Sequence, residues 1–253
     1  NGYIFSGTRG IGKTSLARLF AKALNCQQYN SDIGDVCNNC PSCADIQNNS
    51  HLDLIEVDAA SNSKVEEVRE LMSGVKYSPS NGKYKIYLMD EVQNFSPKAW
   101  DALLKTLEEP PGHVVFLMAT TESEKIPKTI ISRCLQFNLK VVSENVISEN
   151  LKRIFNKEEI SFDDGSIELL AELARGSVRD SITLADQAAY HSGNSLTEEE
   201  MSKFHGLIDK SSVDKLLSDI SENNVENIIN ELKRFYDLDT NYQILFERVL
   251  AEL

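Results

Sequence analysis

Three groups of residues have the types and spacing that chemistry requires. Gly7-Thr8-Arg9-Gly10-Ile11-Gly12-Lys13-Thr14 satisfies G-x-x-x-x-G-K-[ST] at every position. In such a loop the glycines let backbone N–H groups curl around phosphates. Lys13 supplies a point charge to the β/γ oxygens, and Thr14 can hold Mg²⁺. Thr8, Arg9, Ile11 and the following Ser15 complete the expected cradle. The second group is Asp90-Glu91, which closes the apolar run Ile86-Tyr87-Leu88-Met89. An apolar strand ending in Asp sets a carboxylate at the C-terminal edge of a sheet, where ligands of open α/β sheets bind. Asp90 is expected to orient Mg²⁺, directly or through water, and Glu91 to polarise an attacking water. That pair implies hydrolysis of a nucleoside triphosphate rather than transfer to a small acceptor, so a P-loop kinase fits poorly.

The third group is Cys26-x₁₀-Cys37-x₂-Cys40-x₂-Cys43. Four thiolates at knuckle spacing suit a closed, tetrahedral, structural Zn²⁺ site, with Asn38-Asn39 and Pro41-Ser42 supplying turn chemistry in the gaps. An iron–sulfur cluster is the rival and a set of free buried thiols the plainer alternative. Zinc is favoured because nothing else in the chain suggests redox work, and no secretory signal supports a disulfide framework. The fifth cysteine, Cys134, is remote in sequence and is expected to be structural.

These residues need elements to position them. Tyr3–Phe5, Leu52–Val57, Lys85–Met89, Val114–Met118 and Leu135–Phe137 are short apolar runs with strand character. Leu16, Leu19, Phe20, Ala23 and Leu24 recur at i, i+3, i+4, which predicts an amphipathic helix over Lys13–Asn25. Ser96-Pro97 opens another that Pro110-Pro111-Gly112 stops. Strands alternating with helices imply a mostly parallel sheet covered on both faces. From about residue 141 the apolar spacing is helical throughout and no strand is expected. Leu151, Ile154 and Phe155 mark one helix, Ile167, Leu170, Leu173 and Ala174 a second, and Ile182, Ala185, Ala188 and Ala189 a third. Thr197-x-x-Glu200 reads as a capping box, and Ile228, Leu232, Phe235, Ile244, Leu245, Val249 and Leu250 continue the pattern. Boundaries are expected near 140 and 193.

A chain of 253 residues with 41% hydrophobic and 26% charged residues is ordinary for a globular protein. No window approaches 18 apolar residues, which excludes a membrane-spanning helix. The opening Asn1-Gly2-Tyr3-Ile4-Phe5 has no basic n-region and no Met, so a signal peptide is not expected and the chain reads as a fragment. The net charge of −13 looks hostile to nucleic acid, yet it is unevenly placed. Residues 1–140 hold 15 basic against 16 acidic side chains, and residues 141–253 hold 11 against 23. The first part is therefore free to meet anions.

Taken together, these residues resemble the gamma/tau clamp-loader subunits of bacterial DNA polymerase III. The likeness is carried by Gly7–Thr14, the four cysteines, Glu56-Val57-Asp58-Ala59-Ala60-Ser61-Asn62 and Tyr87-Leu88-Met89-Asp90-Glu91-Val92. Leu103-Leu104-Lys105-Thr106-Leu107-Glu108-Glu109-Pro110-Pro111, Ala119-Thr120-Thr121, Ser132-Arg133-Cys134, Gly176-Ser177-Val178-Arg179-Asp180 and Asp186-Gln187-Ala188 extend it. The resemblance implies an AAA+ ATPase domain with a parallel sheet over 1–140, carrying the zinc knuckle at 26–43. An all-helical lid over 141–193 and a partial helical collar over 194–253 would follow. It implies ATP, Mg²⁺ and Zn²⁺ as ligands, and a pentameric ring of clamp-loader subunits in the cytoplasm. The ring would open a sliding clamp, grip primer–template DNA and serve the replicative polymerase, with no membrane partner. Thr121, beside Thr120, would read the γ-phosphate as sensor 1. Arg133 would be an arginine finger completing a neighbour's site, and Arg179 would be sensor 2 in its own subunit. Independently, Ser177 is a plausible N-cap with Asp180 three residues on, which sets Arg179 in a first helical turn.

The competing functions are a junction-migration AAA+ motor, which would not be expected to carry the knuckle or the 58–62 run, and a catalytically silent subunit of the same ring, which would be expected to lose Lys13. Lys64, Arg69, Lys98 and Lys105 are candidate DNA-facing cations. Gln93-Asn94 departs from the family, which usually has His and an apolar residue there; the change is expected to touch local packing more than chemistry.

Overall fold

In the computed structural model the apolar runs of the first part form five parallel strands. They are β1 (Gly2–Ser6), β2 (Leu54–Asp58), β3 (Lys85–Asp90), β4 (Val114–Thr120) and β5 (Cys134–Asn138), in the order β2-β3-β4-β1-β5. The structure describes residues 1–61, 64–193, 195–198, 201, 210–237, 246 and 249–250, with the side chains of 210–213 and 237 left aside. Asn62, Glu200, Ile244 and Leu245, named above, lie outside the described residues. The chain divides into two units, Asn1–Val141 and Val142–Leu253.

Alternation along the strands sends successive side chains to opposite faces, and each face has its own core. Ile4, Val57, Tyr87, Met89, Phe116 and Met118 pack with α3 (Val65–Ser73), α4 (Pro97–Glu108) and α5 (Lys128–Ile131). Phe5, Ile86, Leu88, Val115 and Leu117 pack on the other face with α1 (Lys13–Asn25). Three strands run one residue further than expected at one or both ends, and two differ by two residues at one end. β2 starts at Leu54 rather than Leu52, because the N–H of Leu54 bonds to the carbonyl of His51 in a turn that leaves Leu52 outside. β4 runs on to Thr120, buried at all seven positions.

The face α1 buries is also displaced from the predicted stripe. Ala17 and Ala21 lie against the sheet with Phe20 and Leu24 beside them, whereas Leu16 and Leu19 are 40% and 55% exposed. Two alanines one turn apart let helix and sheet approach closely, and the larger leucines face outward. Three short helices went unforeseen: α2 (Pro41–Gln47), opened by Pro41 at its first position inside the cysteine segment, α3, and the four-residue α5. Val65, Val68 and Met72 at i, i+3 and i+7 were the available signal for α3.

In the second unit α6 (Glu144–Lys157), α7 (Asp164–Leu173) and α8 (Val178–Ser192) share a core of Ile147, Leu151, Phe155, Ile167, Leu170, Ala185 and Ala188. That core continues past 193 to Leu196 and Met201. The expectation of no strand is corrected: β6 (Ser161–Phe162) pairs in parallel with β7 (Ser195–Leu196). Two-residue strands are too short to show a period in sequence. Ser177 caps α8, accepting from the N–H of Asp180 at 3.2 Å, and Arg179 is exposed in the first turn. Beyond it, α9 (Lys210–Ser221) and α10 (Val225–Asp237) pair through Leu216 and Phe235.

Candidate nucleotide-binding site

The sheet order places the chemistry. β4 lies between β1 and β3, so three strand ends emerge side by side: the Gly7–Thr14 loop after β1, Thr120-Thr121 after β4 and Asp90-Glu91 after β3. The loop is tied to β4 by the Gly7 N–H, which donates to the Thr120 carbonyl at 3.3 Å. Gly7 has φ +150°, and a Cβ there would come within 2.5 Å of Ile11 Cδ1 and 2.7 Å of the Leu139 carbonyl. Gly12, at φ +94°, turns the chain straight into α1. No side chain caps that helix and its first turn has no acidic residue, so its leading N–H groups and dipole are directed at whatever anion the loop holds.

Lys13 is 6% exposed, and its Nζ donates to the carbonyls of Gly7 at 3.1 Å and Thr8 at 3.0 Å. Burial lowers its pKa from the ordinary lysine value, opposed by the charges of Glu91 and Asp90. The ammonium is thus held over the loop by two carbonyls that an incoming phosphate can replace. Thr14 Oγ1 donates to Asp90 Oδ2 at 2.7 Å. The hydroxyl and the carboxylate converge from two different elements, which is the donor set of a hard divalent cation. Thr8, Arg9 and Ser15 are exposed around the loop, and Ile11 is buried beneath it.

Glu91 follows the strand with φ +50°, an uncommon backbone for a residue with a side chain. Its N–H bonds to Asp90 Oδ1 at 2.9 Å, and the short helical turn Val92–Asn94 follows at once. Val92 and Phe95 are buried and anchor this turn, leaving Glu91 and Gln93 to face the strand ends. Thr121 Oγ1 donates to Glu91 Oε2 at 3.2 Å. Gln93, expected to touch local packing more than chemistry, hydrogen-bonds the side chains at both strand ends. Its Nε2 donates to Glu91 Oε2 at 2.5 Å and to Thr121 Oγ1 at 2.9 Å, while its Oε1 accepts from Thr120 Oγ1 at 2.7 Å. No local pattern announces this role, because it depends on the ends of β3 and β4 being neighbours.

The structure therefore gathers Lys13, Thr14, Asp90, Glu91 and Thr121 at one sheet edge. Arg133 lies elsewhere, between α5 and β5, exposed and paired with Glu108 Oε1 at 2.9 Å; it also donates to the Thr129 carbonyl at 2.7 Å. Arg179 belongs to the second unit.

Cys26, Cys37, Cys40 and Cys43 converge, with all four Sγ atoms within 4.8 Å of one another. The Cys26–Cys37 and Cys37–Cys43 separations are 3.6 and 3.9 Å. Zn–S bonds of 2.3 Å in a tetrahedron require S···S distances of about 3.8 Å, so the cluster fits zinc. The thiols are already polarised unequally. Backbone N–H groups of Asn39 and Cys40 pull Cys37 down to about 6, and burial pushes Cys43 up to about 12. For Cys40 burial acts upward, but N–H groups of Gln27 and Cys43 prevail and lower it. Cys134 stands apart, its thiol pushed up to about 11 by burial beneath β1.

A parallel sheet with a phosphate loop at β1 and an acidic pair at β3 defines a P-loop nucleotide-binding protein. The fold is similar to that of the Thermotoga maritima RuvB Holliday junction branch migration motor, with a TM-score of 0.59 at 14% identity over 88% of this chain and 70% of that one. The family model described as DNA polymerase III, delta subunit, matches residues 1–143, and that of the DNA polymerase III clamp loader subunit, ATPase lid domain, matches 146–194. The chain is 46% identical over 235 residues to DNA polymerase III subunit tau/gamma of Haemophilus influenzae, covering 93% of this chain and 34% of that one. It is 41% identical over 270 residues to DNA polymerase III subunit gamma of Buchnera aphidicola, covering 99% and 74%. The chain belongs to the tau/gamma family of DNA polymerase III clamp-loader subunits. It spans about a third of the Haemophilus relative's length.

Proposed function

We propose that this chain binds and hydrolyses ATP as a motor subunit of a bacterial clamp loader, in the cytoplasm, placing a sliding clamp on primed DNA. The carrying observation is the convergence of Lys13, the Thr14–Asp90 pair and the Glu91–Thr121 pair at one sheet edge. The loop and the N-terminus of α1 bind the triphosphate. Lys13 leaves its carbonyls for the β/γ oxygens, and Thr121 contacts the γ-phosphate. Thr14 and Asp90 would hold Mg²⁺, which would supply positive charge against the phosphates. Glu91 accepts a proton from the attacking water, and Arg179 from the lid and Arg133 from a neighbouring subunit stabilise the developing charge. The division into an ATPase domain to 140, a lid to 193 and a collar beyond belongs to this reading. So do a pentameric ring and contacts with the clamp, primer–template DNA and the replicative polymerase. Lys64, Arg69, Lys98 and Lys105 are exposed and available to DNA. The catalytically silent alternative is disfavoured by Lys13, Asp90 and Glu91 all standing in place.

Lys13→Ala tests the binding step. It removes a buried ammonium that the phosphates would otherwise meet, and is expected to weaken binding of a fluorescent ATP analogue about 100-fold or more. Unchanged affinity would remove the loop from the site.

For the cysteines we propose a resident Zn²⁺ that stabilises the segment rather than taking part in catalysis. Protein purified without chelator is expected to contain about one zinc per chain, and a strong chelator to lower its Tm. Because the ligands must be thiolates, metal loss should become easier as the pH falls. Zinc-free protein of unchanged Tm would overturn the assignment.

A further inference from the structure

One side chain outside every motif ties the ends of β3 and β4 together. We propose that Gln93 is a positioning residue for ATP hydrolysis, whose amide holds the Glu91 carboxylate for water activation and ties it to Thr121. This inference rests on the proposed role of Glu91.

The direction of the amide is fixed by its surroundings. Thr120 is fully buried, and its Oγ1 accepts from the backbone N–H of Glu122 at 3.0 Å. Its own proton is therefore free for Gln93 Oε1, 2.7 Å away. With Oε1 engaged, the two Nε2 protons point to Glu91 Oε2 and Thr121 Oγ1. An amide turned the other way would set an oxygen against a carboxylate, which accepts only. The result is a directed relay from the Glu122 N–H through Thr120 and Gln93 to Glu91. Glu91 leaves the strand from a left-handed backbone, so its side chain has no regular element to orient it. Its carboxylate is held at Oε2 by two donors, Gln93 and Thr121.

Thr121 has a single hydroxyl proton and cannot serve Glu91 and a γ-phosphate together. When the phosphate takes it, Gln93 remains as the donor on Oε2 and keeps the carboxylate in position. Charge-assisted bonds of this kind are among the stronger ones in proteins, and catalytic placement tolerates only fractions of an ångström.

The test uses the full-length protein in its assembled ring, measuring kcat and KM for ATP, equilibrium affinity for a fluorescent ATP analogue, and Tm. Gln93→Met keeps the length of the side chain and deletes its donors and acceptor. It is expected to lower kcat about tenfold with KM, affinity and Tm little changed. Gln93→His supplies one donor and one acceptor and should restore kcat to within about threefold of the parent. In the Glu91→Gln background, Gln93→Met should cost nothing further. If Gln93→Met leaves kcat intact, or if its loss persists undiminished in that background, Gln93 does not act through Glu91. A Glu91→Gln variant of normal turnover would instead overturn the reading of Glu91 itself, and the proposal with it.

Discussion

Arg133→Ala in the assembled ring is expected to lower stimulated ATP hydrolysis by about 10³-fold, while ATP affinity and the turnover of the isolated chain stay at parental levels. An arginine supplied across an interface stabilises charge that exists only in the transition state, and such fingers are worth about 10³–10⁵ in rate. In this chain the guanidinium is exposed and held by Glu108 and the Thr129 carbonyl, just before β5 pairs through Cys134 with Gly2 at the start of β1, which sets it at the opposite end of the strands from the loop after β1. Exposed ion pairs of this kind contribute about 1 kcal/mol or less, so the pair with Glu108 can be exchanged for an anion on a neighbour. Steady-state assays of ring and isolated chain side by side provide the check. An equal loss in the isolated chain would place Arg133 in its own subunit's site, and no loss in the ring would remove it from catalysis.

The second large effect falls on Glu91. Glu91→Gln preserves size and hydrogen-bonding capacity but removes the group that takes a proton from water. General base catalysis contributes about 10²–10⁴ in rate, and a fall of kcat by about 10³ is expected with ATP still bound. Single-turnover hydrolysis with a parallel binding titration separates the two steps. Binding lost together with turnover would mean that Glu91 supports the loop rather than the chemistry.

What could be read from the sequence, and what could not, follows from the range of each signal. The Gly7–Thr14 loop and its strand–helix context were legible because phosphate binding demands local backbone freedom at fixed spacing. The cysteine cluster was legible by count and gap, although its 3.6 and 3.9 Å sulfur separations are a property of the fold. Asp90 and Glu91 were legible as the end of an apolar strand. The buried face of α1 was legible only in part: Phe20 and Leu24 of the expected stripe do pack on the sheet, but periodicity marks large apolar residues whereas close packing put Ala17 and Ala21 at its centre. Strands β6 and β7 were too short to show a period. Gln93 was beyond reach for a different reason: its partners Thr120 and Thr121 arrive from another strand, and only the order β3-β4-β1 brings them within bonding distance. The charge of −13 misled as a total and informed when divided. The near-neutral first part carries the phosphate loop, and the described residues of the acidic second part are mainly helical.

The central claim is that this site hydrolyses ATP in response to a clamp and primed DNA. The most direct measurement is the ATPase rate of the ring reconstituted around the full-length protein, with and without sliding clamp and primed DNA. Low basal turnover that rises sharply only when both are added, and that disappears with Glu91→Gln, is the predicted result. A rate indifferent to clamp and DNA, or one that survives Glu91→Gln, would contradict the account.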